Sequence, residues 1–187
     1  KETWITFLGG YVTVLRNGRF KQFNEELGIT SKVIQDAAFD PQGNVWLASY
    51  DQGLYFCKGD TFHNLNRSNG LNSNTTFAID IDQHGNVWIG HNWGLDLYRI
   101  QYKDFQHFGV DEGFMGLEVN PGAIEVAADG SVWMGTLMGL LKFNPSAYTA
   151  NMVEPIIQLK SANLGSENLL NLEDEVRTTE NDLRIVF

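Results

Sequence analysis

Short runs of alternating apolar residues recur along this chain, and a glycine turn closes each one. Ala37 and Phe39, Ile79 and Ile81, and Ile124 and Val126 each show the two-residue period of a half-buried strand. The pairs Gly43-Asn44, Gly85-Asn86 and Gly130-Ser131 come next, residues that tolerate positive φ and suit tight hairpins. A second strand opens directly behind each turn, at Val45-Trp46-Leu47, Val87-Trp88-Ile89 and Val132-Trp133-Met134. A third follows at Gly53-Leu54-Tyr55-Phe56, Gly94-Leu95-Asp96-Leu97-Tyr98 and Gly139-Leu140-Leu141-Lys142-Phe143. A fourth is read at Asp60 to Leu65 and at Asp104 to Phe108, with His63 and His107 in corresponding, exposed places. Helical periodicity is absent, and no capping residue precedes an apolar stripe.

These units form a repeat. Trp46 lies 42 residues after Trp4, Trp88 lies 42 after Trp46, and Trp133 lies 45 after Trp88. Four short strands at a period of about 40–45 residues are the mark of propeller blades. With the strands of a blade lettered A to D, the chain enters at strand B of one blade. It then runs through two complete blades and leaves after strand C of a fourth. Blade faces pack on neighbouring blades, so Trp46, Trp88 and Trp133 are read as large apolar fillers. The expected fold is therefore all-β: a partial β-propeller of four-stranded antiparallel blades over 1–146, a linker over 147–154, and the first strands of a β-sandwich over 155–187.

Composition narrows the function. A net charge of −10 argues against nucleic acid and against anionic membranes. The single cysteine, Cys57, excludes an internal disulfide and reads as a small apolar strand residue. No apolar run approaches the roughly 20 residues of a membrane helix, so membrane attachment is expected only through segments outside this chain. The sequence opens at Lys1 without methionine and closes on a strand pattern, which reads as a piece of a longer protein.

The pattern D-x-x-G-N-hydrophobic-W-hydrophobic-G followed by G-L and an aromatic, over 36–56, 78–98 and 124–143, resembles the two-component regulator propeller repeats of bacterial sensor proteins. Phe114 to Ala123 is similar to the longer loop of that family's final blade and is expected to account for the three extra residues. Pro155 to Gly165 and Asn181 to Phe187 resemble the opening strands of the Y_Y_Y β-sandwich that follows such propellers. Ala48-Ser49 and Gly90-His91 depart from the family's Gly-Thr, and the first unit has Phe7-Leu8-Gly9-Gly10. The resemblance implies a non-catalytic, periplasmic sensor region of an inner-membrane protein, whose output is a histidine kinase or a diguanylate cyclase. It also implies a ligand or partner signal relayed through the sandwich.

Candidate site residues sit in the variable B–C loops. His91, Asn92 and Trp93 combine a titratable hydrogen bonder, an amide and a flat apolar face, a mix suited to a carbohydrate or other small polar ligand. Tyr50 and Asp51 stand at the equivalent place. The structural alternative has Trp93 covering the blade edge and His91 merely solvated. Glu118 and Asn120 in the terminal-blade loop are expected to face the sandwich, either as ligand contacts or as an interdomain contact. Asp36, Asp80 and Glu125 on inner strands would have to converge to bind metal, and the more ordinary role for them is accepting hydrogen bonds from the neighbouring blade. Asp80-Ile81-Asp82-Gln83-His84-Gly85 imitates a calcium loop, but histidine is a poor hard-cation ligand and position twelve is His91, so it reads as a turn. No metal site and no cofactor are expected. Two rival functions remain: a propeller enzyme such as a metal-dependent lactonase or a lyase, and an assembly module. Exposed blade faces would favour homo-oligomers.

Overall fold

The computed structural model describes residues 2–7, 9, 11–112, 114, 118–148, 161–164, 167–168 and 183–186. These are all-β apart from short 3-10 turns. The first blade contributes β1 (Glu2–Phe7), β2 (Tyr11–Arg16) and β3 (Arg19–Phe23). The second holds β4 (Ile34–Phe39), β5 (Val45–Ser49), β6 (Gly53–Lys58) and β7 (Thr61–Leu65). The third holds β8 (Thr76–Ile81), β9 (Val87–His91), β10 (Gly94–Arg99) and β11 (Asp104–Phe108), and the fourth β12 (Val119–Val126), β13 (Val132–Thr136) and β14 (Gly139–Phe143). Every blade is an antiparallel meander in chain order, with three, four, four and three strands in turn. The expected entry at strand B and exit after strand C match this arrangement.

The local chemistry of the repeat explains the turns. Asp40 Oδ1 accepts from the amides of Gln42 and Asn44 at 3.0 and 2.8 Å, and its Oδ2 accepts from Asn44 Nδ2 at 2.8 Å. Asp82 accepts the matching bonds from His84 N, Asn86 N and Asn86 Nδ2, each at 2.9 Å, so the calcium-like stretch is a turn. Gly43, Gly85 and Gly130 sit at φ of 84°, 83° and 81°, a region that costs other residues strain.

Three apolar clusters fill the three blade interfaces. One joins Val12, Val14 and Phe23 to Val45, Leu47, Tyr55 and Phe62, with Cys57 among them. Another joins Trp46, Ala48 and Leu54 to Ile79, Ile89 and Tyr98, and the last joins Trp88, Leu95 and Phe108 to Val119, Ile124 and Met134. Trp4, Trp46 and Trp88 each lie between an aromatic of their own blade and one of the next. Trp4 meets Phe23 of its own blade at 5.4 Å and Phe62 of the next at 6.1 Å. Trp46 meets Phe56 and Tyr98 at 5.1 and 5.8 Å, and Trp88 meets Phe108 and Phe143 at 5.8 and 6.1 Å. Trp133 lies in the last blade, and there Lys142 Nζ sits 5.0 Å from its ring centre.

The register accounts for the longer third period. The C–D hairpin of blade 3 is two residues longer than that of blade 2, its B–C turn is one shorter, and β12 carries two more residues than β8 in the bulge near its start. The three extra residues are thus not all in the stretch from Phe114 to Ala123, as the sequence suggested. They divide between a hairpin and a bulge.

Residues Lys1–Tyr148 form one compact unit and Thr149–Phe187 another. Within the second, β15 (Ser161–Leu164) pairs antiparallel with both β16 (Glu167–Asn168) and β17 (Leu183–Val186). The linker from residue 149 onward, residues 155–160 of the expected sandwich, and residues 113 and 115–117 of the terminal-blade loop lie outside the described residues.

Candidate functional site

The B–C turns of blades 2, 3 and 4 are built on one plan with different chemistry. Ser49, His91 and Thr136 end β5, β9 and β13 and occupy equivalent positions. Each accepts a backbone N–H from its own turn: Gln52 N to Ser49 Oγ at 3.0 Å, Trp93 N to His91 Nδ1 at 3.0 Å, and Met138 N to Thr136 Oγ1 at 3.2 Å. The two hydroxyls also donate, to the carbonyls of Gly53 and Gly139, both at 2.8 Å. His91 turns its other nitrogen inward. An imidazole nitrogen that accepts carries no proton, so this geometry assigns the ring proton to Nε2.

That nitrogen faces a buried carboxylate. His91 and Asp96 are both fully buried, with Nε2 3.0 Å from Asp96 Oδ1. The contact is off the line of a hydrogen bond, leaving Nε2 without an aligned partner. His107 Nδ1 approaches the same oxygen at 2.8 Å, and its side chain is 45% exposed. Asp96 Oδ2 accepts the Asn72 amide at 2.8 Å, which ties blade 3 to the connection arriving from blade 2. Burial alone would raise the Asp96 carboxyl, but His91, His107 and the Asn72 amide outweigh it and hold it below the usual carboxylate range. At the equivalent position of blade 2, the Tyr55 hydroxyl accepts Ser31 N at 3.0 Å and lies 2.8 Å from Thr30 Oγ1. One anchor is thus a phenol and the other a carboxylate hub between two imidazoles.

The structure separates the candidate residues into two groups. Tyr50 and Trp93 project outward, 52% and 67% exposed, at matching turns of adjacent blades. Leu137 and Met138 are exposed at the matching turn of blade 4. Asp51 and Asn92 point back instead. Ser31 Oγ donates to Asp51 Oδ1, and Ser73 Oγ donates to Asn92 Oδ1 at 2.7 Å, each serine lying in the connection from the preceding blade. His91 is neither in the loop nor solvated; it is the last residue of β9, because the two-residue turn begins after it. Glu118 precedes β12, where its carbonyl accepts Leu137 N at 3.2 Å, and Asn120 lies in the β12 bulge, half-buried.

Among the inner-strand carboxylates, Asp36 Oδ2 accepts Ile79 N of blade 3 at 2.9 Å and Asp80 Oδ2 accepts Val126 N of blade 4 at 2.6 Å. They clip successive blades together. Burial pushes the Asp36 carboxyl up, against the lowering pull of the Ile79 and Ala37 amides. Glu125 is exposed. The correspondence of His63 with His107 does not hold: Leu65 pairs with Leu54 and Phe108 with Leu95, which matches His107 to Asn64. His63 stacks on Phe56 at 5.2 Å instead.

Comparison with known proteins fits this architecture. No family model matches the chain. It is 24% identical over 118 residues to a protein of Formosa agariphila named histidine kinase P4, a match covering 63% of this chain and 9% of the kinase. Its fold is similar to the extracellular domain of the hybrid two-component system BT3049 from B. thetaiotaomicron, with a TM-score of 0.73 and 23% identity, over 94% of this chain and 24% of that one. Virginiamycin B lyase from Staphylococcus aureus is also similar, with a TM-score of 0.55 and 16% identity, over 78% of this chain and 54% of the lyase. The chain therefore spans a small part of the sensor proteins it resembles. The propeller fold and the two-component relatives fit the resemblance to two-component regulator propellers.

Proposed function

We propose that this chain is part of the periplasmic sensor region of a membrane-anchored signalling protein, and that it has no catalytic activity of its own. A small polar ligand such as a carbohydrate meets the rim formed by the B–C turns. Tyr50 and Trp93 supply flat apolar faces there, while Asp51, His91 and Asn92 fix the turns that carry them. Glu118 and Asn120 serve the relay toward the sandwich, and the output is a kinase, as the name of the Formosa relative suggests. The supporting observation is the pair of large aromatic side chains more than half exposed at equivalent turns of adjacent blades. Single exposed apolar residues are ordinary, but two rings on corresponding turns of a rigid frame are suited to stacking on a ligand.

The test is a thermal-shift screen with oligosaccharides on the chain and on Trp93→Ala and Tyr50→Ala variants. The reading expects at least one sugar to raise the melting temperature and both substitutions to abolish the shift. A shift that survives both would move the site elsewhere. The lyase likeness keeps a propeller enzyme as the rival, but its carboxylates would have to be free, and Asp36 and Asp80 are held by backbone amides. An assembly role is tested by solution mass, since Phe20 and Leu140 are exposed on the outer blades.

A further inference from the structure

Three equivalent residues close three equivalent turns, and only one of them titrates. Ser49 and Thr136 accept the turn N–H through hydroxyl oxygens, which keep their lone pairs at any ordinary pH. His91 does the same task with a lone pair that a proton can occupy. Its other nitrogen faces the Asp96 carboxylate at 3.0 Å, so a positive charge formed on the ring has a counter-charge beside it. The charged or titratable groups placed at this cluster are Asp96 on β10, His107 on β11 against the same carboxylate oxygen, and Glu112, whose Oε2 accepts the Gly109 amide at 2.7 Å beside the Trp93 carbonyl. On β8, Thr76 lies opposite His91, and the connection from blade 2 contributes Asn72 and Ser73; all three are neutral.

We propose that the B–C turn of blade 3 is a proton-operated element. When His91 gains a proton at Nδ1, the acceptor of the Trp93 amide becomes a donor. Two N–H groups then face each other at a separation that suits only a hydrogen bond, and the turn displaying the Trp93 ring must open or re-form. The charge created stays paired with Asp96, so the strands beneath have reason to hold while the turn moves. Blades 2 and 4 have no counterpart to this step, so a fall in pH would reshape one turn of the rim and leave its neighbours alone. His107 tunes the step from outside. A positive charge on its ring, held against the same carboxylate oxygen at 2.8 Å, would repel one formed on His91. The inference concerns Trp93, which the ligand reading also uses, but its test reads the turn itself and needs no ligand.

The experiment is nitrogen NMR of the histidine rings and the Trp93 amide in the intact chain, from about pH 8 to about pH 5, the window in which imidazoles change charge. The expected result is that His91 Nδ1 passes from unprotonated to protonated and the Trp93 amide signal moves with the same midpoint. In His91→Ser, which copies the blade 2 solution, the Trp93 transition should be lost while the remaining amides keep their positions. His91→Thr copies blade 4 and serves if the serine variant does not fold. In His107→Gln the transition should move to higher pH. The proposal is overturned if Nδ1 stays unprotonated throughout the window. It is equally overturned if Nδ1 protonates without moving the Trp93 amide, or if the serine or threonine variant keeps the Trp93 transition.

Discussion

Truncating the repeated tryptophan at two places should have unequal costs, and the inequality measures what a neighbouring blade contributes. Trp88 is buried between Phe108 of its own blade and Phe143 of the next. An aromatic side chain of this kind removes about 150–250 Å² from water. At about 25 cal/mol per Å² that is a gross stabilisation of about 4–6 kcal/mol. Alanine retains a little of it and the site collapses partway, so Trp88→Ala should cost about 3–5 kcal/mol. Trp133 occupies the same strand position but is half-buried, and Lys142 is its charged neighbour. A cation over an accessible ring contributes about 0.5–1 kcal/mol. With the lesser burial, Trp133→Ala should cost about 1–2 kcal/mol in all. Urea unfolding followed by far-ultraviolet circular dichroism gives both values, provided the slope with denaturant stays constant. Equal losses, or a larger loss at Trp133, would refute the idea that each indole is sandwiched by the following blade.

Three further outcomes follow from the contacts. Gly90→Ala places a Cβ 2.6 Å from Val119 Cγ1 of blade 4, and this overpacking should cost about 1–3 kcal/mol, much of it recovered when Val119→Ala is added. Asp80→Ala strips the acceptor from Val126 N and Ile81 N, at a cost of about 1–3 kcal/mol by equilibrium unfolding, with hydrogen exchange fastest at Val126. Asp96→Asn should weaken the chain most at neutral pH. Because the folded-state carboxyl is held below the ordinary value of about 3.9, its stabilising effect is present above that value. The effect disappears as pH falls through the folded value, so the gap between wild type and Asp96→Asn should close in acid. A gap of constant size from neutral to acid pH would count against the hub.

The repeat was legible because its signals are local: a glycine pair, a tryptophan after valine, a Gly-Leu start to strand C. Each works within a few residues, and the blade count follows from them. Asp96 carries no such local signal, for the opposite reason. β10 is buried on both faces, so alternation does not mark which of its residues points toward a neighbour, and the partners His91 and His107 lie on the two flanking strands. His63 and His107 look equivalent in sequence because Asp60 and Asp104 do, while the hairpins before them differ in length by two residues. His91 looks like a loop residue because it is polar and adjoins Asn92 just before the Gly94 that opens strand C, yet the register keeps it in the sheet. Only the tautomer and the buried carboxylate give it a distinct role, and neither is written in the local sequence.

The most direct test of the account is a set of proton–proton nuclear Overhauser contacts from the indole rings. Consecutive blades require one repeated pattern: Trp4 to Phe62, Trp46 to Tyr98 and Trp88 to Phe143, each alongside a contact within its own blade to Phe23, Phe56 or Phe108. Observation of all three cross-blade contacts is the expected result. If Trp46 or Trp88 instead shows no contact to an aromatic of the following blade, the blades do not follow one another about a common axis, and the reading of the rim as a sensor surface fails with them.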